Sequence, residues 1–475
     1  MEKKKEIKAG LEIHQQLDTH KLFCSCPSLL RNDTPKFKVE RKLNPVVGET
    51  GDIDVAAAYE KSKDKTFIYE VYDTNCLVEL DEEPPHPINQ EAIKIALQIA
   101  LLLKCEIFPV TQVMRKTVID GSNTSGFQRT VLIAHDGFIE TSEGKVGIET
   151  IALEEDAARI VSRDKEKNTR TYKIDRLGIP LVEITTKPDL HSPEQIKEAA
   201  LHIGEILRAC KVKRGIGTIR QDLNISIPKS YRTEIKGFQD PRIMITTVRK
   251  EVQRQEICLK EKRCEKQVRR ALPGGTTEFL RPMPGAARMY PETDMHLLKI
   301  SREMINNAKE NLPKLASEHR AYLDEFGLNE QLVKLILKQS KLEEFKFLIQ
   351  IFNNPQLVAK TLVLLPKEIA VKNSLELSEV EKRLNQDKLE TVLSAVKNNM
   401  ISENDVRIVL QKIVEGLSLK EALEKENIDL KSEIEKIIKE KPGLSQGAYM
   451  GLVMAKFRGK VNGKEVMEEL KKVLG

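Results

Sequence analysis

Glu12 and His14 stand two residues apart in GLEIHQQLDTHKLFC (10–24), between the apolar residues Leu11, Ile13 and Leu17. Successive side chains of a strand point to opposite faces, so the carboxylate and the imidazole project together while Leu11 and Ile13 fill the other face. The pair suits a divalent cation, because both groups are good ligands. It equally suits the solvated face of a half-buried strand. Two further acidic sites bear on the choice. LEEDAARI (153–160) sets Glu154, Glu155 and Asp156 among apolar neighbours, and GIPLVEITT (178–186) holds Glu183 alone in an apolar strand. A lone buried Glu is costly unless it is paired or binds a cation. Three carboxylates and one imidazole form an oxygen-rich set that favours Mg2+ or Mn2+, and Mg2+ usually accompanies phosphate chemistry. A salt bridge at Glu183 is the competing explanation.

Cationic and small polar residues make a second group. In MRKTVIDGSNTSGFQR (114–129), Arg115 and Lys116 precede a Gly-flanked loop whose Ser122 and Asn123 could cradle phosphate. The same composition also makes plain turns. TEIKG (233–237) puts Glu234 and Lys236 on one strand face, where Lys236 either neutralises a phosphate or pairs with Glu234. Cys24, Cys26 and the distant Cys76 could hold Zn2+ with a fourth ligand. No C-x-x-C pair completes that pattern, and buried thiols are the default reading. Phosphate-loop, nucleophile-elbow, H-E-x-x-H and dinucleotide fingerprints are all absent, so any ATP is held in another way.

The chain must position these groups with 475 residues, enough for two to four domains. Its net charge of +6 is too mild to prove a nucleic-acid partner. The distribution is more telling: RACKVKRGIGTIR (208–220) is basic without an acid, and residues 441–475 carry seven Lys or Arg against three Glu. No apolar run is long enough to span a bilayer, and the first ten residues lack a signal-peptide core. Seven cysteines at irregular spacing argue against a disulfide framework and for a reducing cytoplasm.

Two regimes follow along the chain. Up to about residue 293, short strands alternate with loops, predicting an α+β half with a mostly antiparallel sheet. RTVLIAHDGFIET (129–141) predicts a hairpin at Asp136-Gly137. TIRQDLNISI (218–227) alternates strictly, with Arg220 and Asp222 on its polar face. HSPEQIKEAALHIGEILRAC (191–210) predicts a helix capped by Ser192. Beyond Thr293 long amphipathic segments predict an all-helical region. Capping boxes are expected at Ser378/Glu381, Ser418/Glu421 and Ser432/Glu435.

Taken together, GLEIHQQLDTHKLFC, RKTVIDGSNTSGFQRT, IALEEDAARIV, RLGIPLVEITTKPDLHSPE, GTIRQDLNISI, TEIKGFQD and LRPMPGAARMYPETD resemble, in this order, the archaeal GatE family of tRNA-dependent glutamyl amidotransferase subunits, and more weakly the bacterial GatB subunits. The resemblance spans nearly the whole chain. It implies a cradle domain at 1–293, a helical domain at 294–400 and a small YqeY-like, tRNA-binding tail at 401–475. It implies conversion of Glu-tRNA(Gln) to Gln-tRNA(Gln): ATP and Mg2+ phosphorylate the γ-carboxylate of the attached Glu, and ammonia from a GatD-type amidase partner displaces the phosphate. Assembly as two D and two E subunits is expected. Carried onto this sequence, the metal ligands are Glu12, His14, Glu155 and Glu183. Lys116 joins them in catalysis and also in nucleotide binding, with Ser122, Asn123, Lys236, Arg220 and Asp222. The competing readings are an enzyme that also accepts aspartyl-tRNA(Asn) and a non-catalytic tRNA-binding scaffold. In one respect the chain departs from the family. The aspartyl-tRNA synthetase-like insertion that GatE proteins usually carry is reduced to LKEKRCEKQV (259–268).

Overall fold

The structure is a computed structural model and describes residues 7–48, 51–283, 289–339, 341–424, 429–457 and 463–474. The fold is α+β. The chain divides into two compact units, Met1–Leu315 and Ala316–Gly475.

The first unit is built on an 11-stranded sheet whose centre is the strand Lys8–Gln16, flanked by Pro180–Thr186 and Ile219–Ser226. Beyond Pro180–Thr186 follow Gly144–Glu155, Phe127–Thr141 and Val113–Thr117; beyond Ile219–Ser226 follows Thr233–Lys236. These pairings are antiparallel. Leu11, Ile13, Leu153, Val182, Leu223 and Ile225 are buried on one face in a core shared with the helices Gln90–Leu102, Pro193–Ala209 and Met244–Lys260. Alternation of side chains then commits the polar residues between them to the other face. The expected Ser192 cap is present: its Oγ accepts from the Gln195 N–H at 3.0 Å.

A second, four-stranded sheet orders Phe37–Arg41, Thr66–Val71, Thr169–Lys173 and Arg159–Asp164 around Phe67, Tyr69 and Tyr172.

The expected hairpin at Asp136-Gly137 is not one. Phe127–Thr141 runs through it as a single strand and turns at Ser142-Glu143, since Thr141 pairs with Gly144. Gly137 serves a close approach instead. A Cβ there would lie 2.2 Å from Cys105 Sγ and 2.5 Å from the Leu103 carbonyl oxygen. The first unit also extends past residue 293: Ile300 and Ala308 are buried in its core, and the helix Arg302–Glu310 packs on Gln90–Leu102.

The second unit is helical. One apolar core gathers residues from Leu323 to Ala422, and a separate cluster gathers Ile434, Ile437, Tyr449, Val453, Val466 and Leu470. Of the three expected capping boxes only Ser418/Glu421 forms; Ser378 and Ser432 lie inside helices whose N-caps are Glu376 and Asp429. Among the described residues no helix is long and apolar enough to cross a membrane.

Candidate functional site

Strand register assembles the site. His14 lies opposite Glu183 on one side and Arg220 on the other, and Glu12 lies opposite Asp222. Paired residues of an antiparallel ladder share a face. Leu181 pairs with Glu154, so Glu154 joins that face, and Glu155, one residue on, belongs to the opposite one. Ligand atoms of Glu12, His14 and Glu183 all lie within 4.8 Å of one another, a spacing that one cation could bridge. His14 Nε2 stands 3.2 Å from Glu183 Oε2, 3.6 Å from Glu12 Oε1 and 3.8 Å from Glu154 Oε2. Lys116 pairs with Glu154 and reaches Glu183 Oε2 at 3.4 Å. Lys236 is held between Asp222 Oδ2 and Glu234 Oε1, each at 2.7 Å. A cavity of about 510 Å³ opens over this face; Glu12, His14, Lys116, Glu154, Asp222 and Lys236 are in its wall, and Arg220 lies further along it.

Three expected residues sit elsewhere. Glu155 is not with the metal cluster, because the one-residue step turns its carboxylate to the far side of the sheet. There its Oε2 accepts from the Arg129 backbone N–H at 3.2 Å and lies 3.5 Å from Arg129 Nη1. Ser122 and Asn123 are not in the cavity wall. Their loop closes on itself: Ser122 N–H and Oγ–H both donate to Asp120 Oδ1, at 2.9 and 2.6 Å, and Asn123 is buried. Its first glycine, Gly121, has φ 93° and lies under the Phe67 ring, 2.2 Å from where a Cβ would be, so ring packing is what requires a glycine there.

The sequence has counterparts among known proteins. The model of the GatB/GatE catalytic domain matches residues 7–306. The glutamyl-tRNA(Gln) amidotransferase E subunit of Methanocaldococcus jannaschii is 37% identical over 98% of this chain and 98% of its own. The chain belongs to the GatB/GatE family. The corresponding E subunits of Thermococcus sibiricus and Methanosarcina barkeri are 34% and 33% identical, each over 98% of this chain and 97% of the relative. The M. jannaschii alignment runs over 625 positions, so at least 150 of them (625 − 475) face gaps in this shorter GatB/GatE chain.

The electrostatics of this GatB/GatE site are those of crowded acids. Burial, and then Glu183 nearby, push the Glu12 carboxyl up to about 7. Burial and Glu183 also raise Glu154. Burial would raise Glu183 as well, but Lys116 and His14 outweigh it and hold it well below the usual carboxylate range. Burial disfavours the imidazolium of His14, yet its hydrogen bond to Glu183 and the surrounding carboxylates raise it overall. The acids outnumber the cations around one point, and a divalent ion is the group that relieves this.

A second set of donors lies apart from the cavity wall. Cys24, Cys26, Cys76 and Glu79 bring their ligand atoms within 4.8 Å of one another. Glu79, three residues after Cys76, is the fourth donor the cysteine spacing alone did not reveal. Its Oε1 also meets Lys21 Nζ at 2.7 Å. The hydrogen bond with Cys24 lowers the Cys26 thiol to about 7.

Proposed function

We propose that this chain is the tRNA-binding, carboxylate-activating subunit of a glutamyl-tRNA(Gln) amidotransferase. The observation that carries the reading is the convergence of Glu12, His14 and Glu183 beside a cavity that Glu12, His14, Lys116 and Lys236 line. It stands in a chain whose relatives, over almost its full length, are E subunits of glutamyl-tRNA(Gln) amidotransferases.

A carboxylate is a poor acyl donor, because its leaving group would be oxide. In the proposed reaction an oxygen of the γ-carboxylate of tRNA-bound Glu attacks the γ-phosphorus of ATP, and ADP leaves. Ammonia then attacks the acyl carbon, and phosphate leaves with the bridging oxygen. Both substrates are anions, so their meeting must be screened.

The donor set fits Mg2+: it is oxygen-rich, buried and short of positive charge, and the ion would supply charge neutralisation at the phosphates. Glu12, His14 and Glu183 would hold it. Lys116 pairs with Glu154 and Glu183 on the cavity face and keeps Glu183 ionised. Lys236, itself fixed by Asp222 and Glu234, presents a cation where the activated carboxyl would sit. The Cys24, Cys26, Cys76 and Glu79 set suits a structural Zn2+, since soft thiolates with one carboxylate complete four-coordination.

The absence of an amidase nucleophile motif fits a separate GatD-type partner that supplies ammonia, and the resemblance to GatE subunits implies an assembly of two D and two E subunits. The basic tail holds the tRNA body.

The test is ATP turnover with ammonium supplied, with and without Glu-tRNA(Gln). The reading predicts ADP release that requires the charged tRNA and matches the Gln-tRNA(Gln) formed. ATP-independent tRNA binding without ADP release would favour a scaffold instead.

A further inference from the structure

Lys21 is 0% exposed, and a lysine is almost never buried that fully unless it is paired. It stands three residues before Cys24. Its backbone N–H donates to the Cys26 carbonyl at 3.0 Å, so the loop that carries the two thiols folds back over it. Its ion-pair partner among the described residues is Glu79, with Nζ 2.7 Å from Oε1. That contact is off the hydrogen-bond direction: among the described residues the buried Nζ makes no aligned hydrogen bond. Glu79 is also engaged twice more. Its Oε2 accepts from the Cys76 N–H at 2.8 Å, and its Oε1 accepts from the Cys24 thiol at 3.2 Å. A plain buried salt bridge spends the ammonium's donors on the carboxylate. Here the carboxylate is shared with the thiol cluster, and the ammonium's donors are unmet.

Charge supplies the reason for a cation at this place. Three thiolates and one carboxylate around Zn2+ leave a net charge of −2 on a site whose Cys24 and Glu79 are buried. Uncompensated charge of that size is costly away from water. Lys21 brings the site to −1. It does so at the carboxylate, the one ligand of the four that is not a soft sulfur and the one whose place must be fixed by something besides the metal. Partners behind a ligating side chain orient it and tune the metal in this way.

We infer that Lys21 is the counter-charge and positioning residue of the Cys24, Cys26, Cys76 and Glu79 zinc site: it holds Glu79 in place as the fourth ligand and sets how tightly the metal is kept. The inference rests on the zinc assignment proposed above and is independent of the amidation reaction. In the sequence Lys21 is one more cation in a polar loop; its burial against Glu79 is what marks it.

The experiment measures zinc on the full chain, by metal content after dialysis and by the rate of release to a chromophoric chelator, with circular dichroism reporting the fold. Lys21→Met keeps the apolar stem and removes the charge. It should weaken zinc retention about 10–100-fold. Adding Glu79→His replaces the carboxylate by a neutral donor and returns the site to its wild-type charge, so Lys21→Met/Glu79→His should hold zinc more tightly than Lys21→Met alone. If Lys21→Met does not fold, Lys21→Gln, which removes the charge and keeps a donor toward Glu79, carries the same comparison. Wild-type zinc retention in the folded single variant would overturn this inference alone. A double variant that holds zinc no better than the single one would also overturn it, because Lys21 would then serve packing and not charge. A wild-type chain that takes up no zinc would overturn the zinc assignment together with this inference, and would leave the proposed amidation standing.

Discussion

Glu183 sits where two opposing demands meet. It must stay ionised next to two other acids, and Lys116 and His14 make that possible. Replacing it by Gln keeps the shape, removes one ligand charge and relieves the repulsion on Glu12 and Glu154. Glu183→Gln should therefore keep its fold, with a thermal midpoint at or above wild type in chelator, while ATP-dependent amidation falls by two orders of magnitude or more, about the effect of removing an electrostatic catalytic group. Near-normal turnover would remove Glu183 from the chemistry. Adjacent Glu154 and Glu155 should separate cleanly. Glu154→Gln should slow turnover at little cost in stability. Glu155→Gln should cost about 2 kcal/mol, read by denaturant titration, because it removes one of the two carboxylates that face the buried Arg129 and leaves Glu292 as the other. Glu12, His14 and Glu183 were legible because each interrupts an apolar strand at period two. Glu154 was not: three acids in a row offer no periodicity, and only the pairing with Leu181 says which faces the cavity. Ser122 and Asn123 illustrate the converse, since a Gly-flanked polar loop reads the same whether the glycine approaches a phosphate or an aromatic ring.

At the scale of elements, the short strand Met289–Pro291 is tied to the sheet edge by a buried ion cluster. Glu292, 0% exposed, accepts from Arg115 Nε and Nη2 at 2.8 and 2.6 Å and from Arg129 Nε at 2.8 Å. Burial would raise Glu292, but the hydrogen bonds from Arg115 and Arg129 prevail and lower it from 4.5. A carboxylate depressed on folding contributes stability that is present above its unfolded value and is lost as pH falls through the folded one. Glu292→Gln should thus cost about 3–5 kcal/mol at pH 7, and the gap to wild type should narrow as pH falls below about 4.5. Denaturant melts at both pH values check this; a gap independent of pH would contradict the ionised assignment. The cysteine set makes a separate prediction. Purified protein should contain one equivalent of zinc, and Cys26→Ser should lose it and lower the thermal midpoint. Metal-free wild-type protein with an unchanged midpoint would return these cysteines to ordinary buried thiols. The helix starts at Ser192 and Ser418 and the antiparallel sheet were legible from caps and alternation, while Ser378 and Ser432 lie inside helices that start earlier. The Asp136-Gly137 hairpin was misread because the turn signal there meets a packing demand from Cys105 in another segment.

For the molecule as a whole, the sequence-based tail boundary at 401 cuts through a core. Ile401, Val406, Val409 and Leu410 are buried with residues as far back as Leu323, whereas the cluster from Ile434 to Leu470 stands apart. Charge runs and composition mark a change of regime; they do not show which helices share a core. The tail to remove is therefore 429–475. Its Lys456 is exposed and pairs with Glu433, while the neighbouring Arg458 and Lys460 lie outside the described residues. Deleting 429–475 should weaken Glu-tRNA(Gln) binding and flatten its salt dependence, by roughly 0.7–0.9 of a log–log unit for each phosphate the protein no longer neutralises. Amidation should return at high tRNA concentration, because the acidic cluster and its cavity are in the first unit. Unchanged affinity at every salt concentration would remove the tail from tRNA recognition. The catalytic expectations depend on the carboxylate being activated by phosphoryl transfer, and oxygen labelling tests that most directly. Glu-tRNA(Gln) carrying 18O in both oxygens of the γ-carboxylate is converted with ATP, Mg2+ and ammonium, and the released phosphate is analysed by mass. The account predicts one 18O in the phosphate for each Gln-tRNA(Gln) formed; phosphate free of label, with product accumulating, would contradict it.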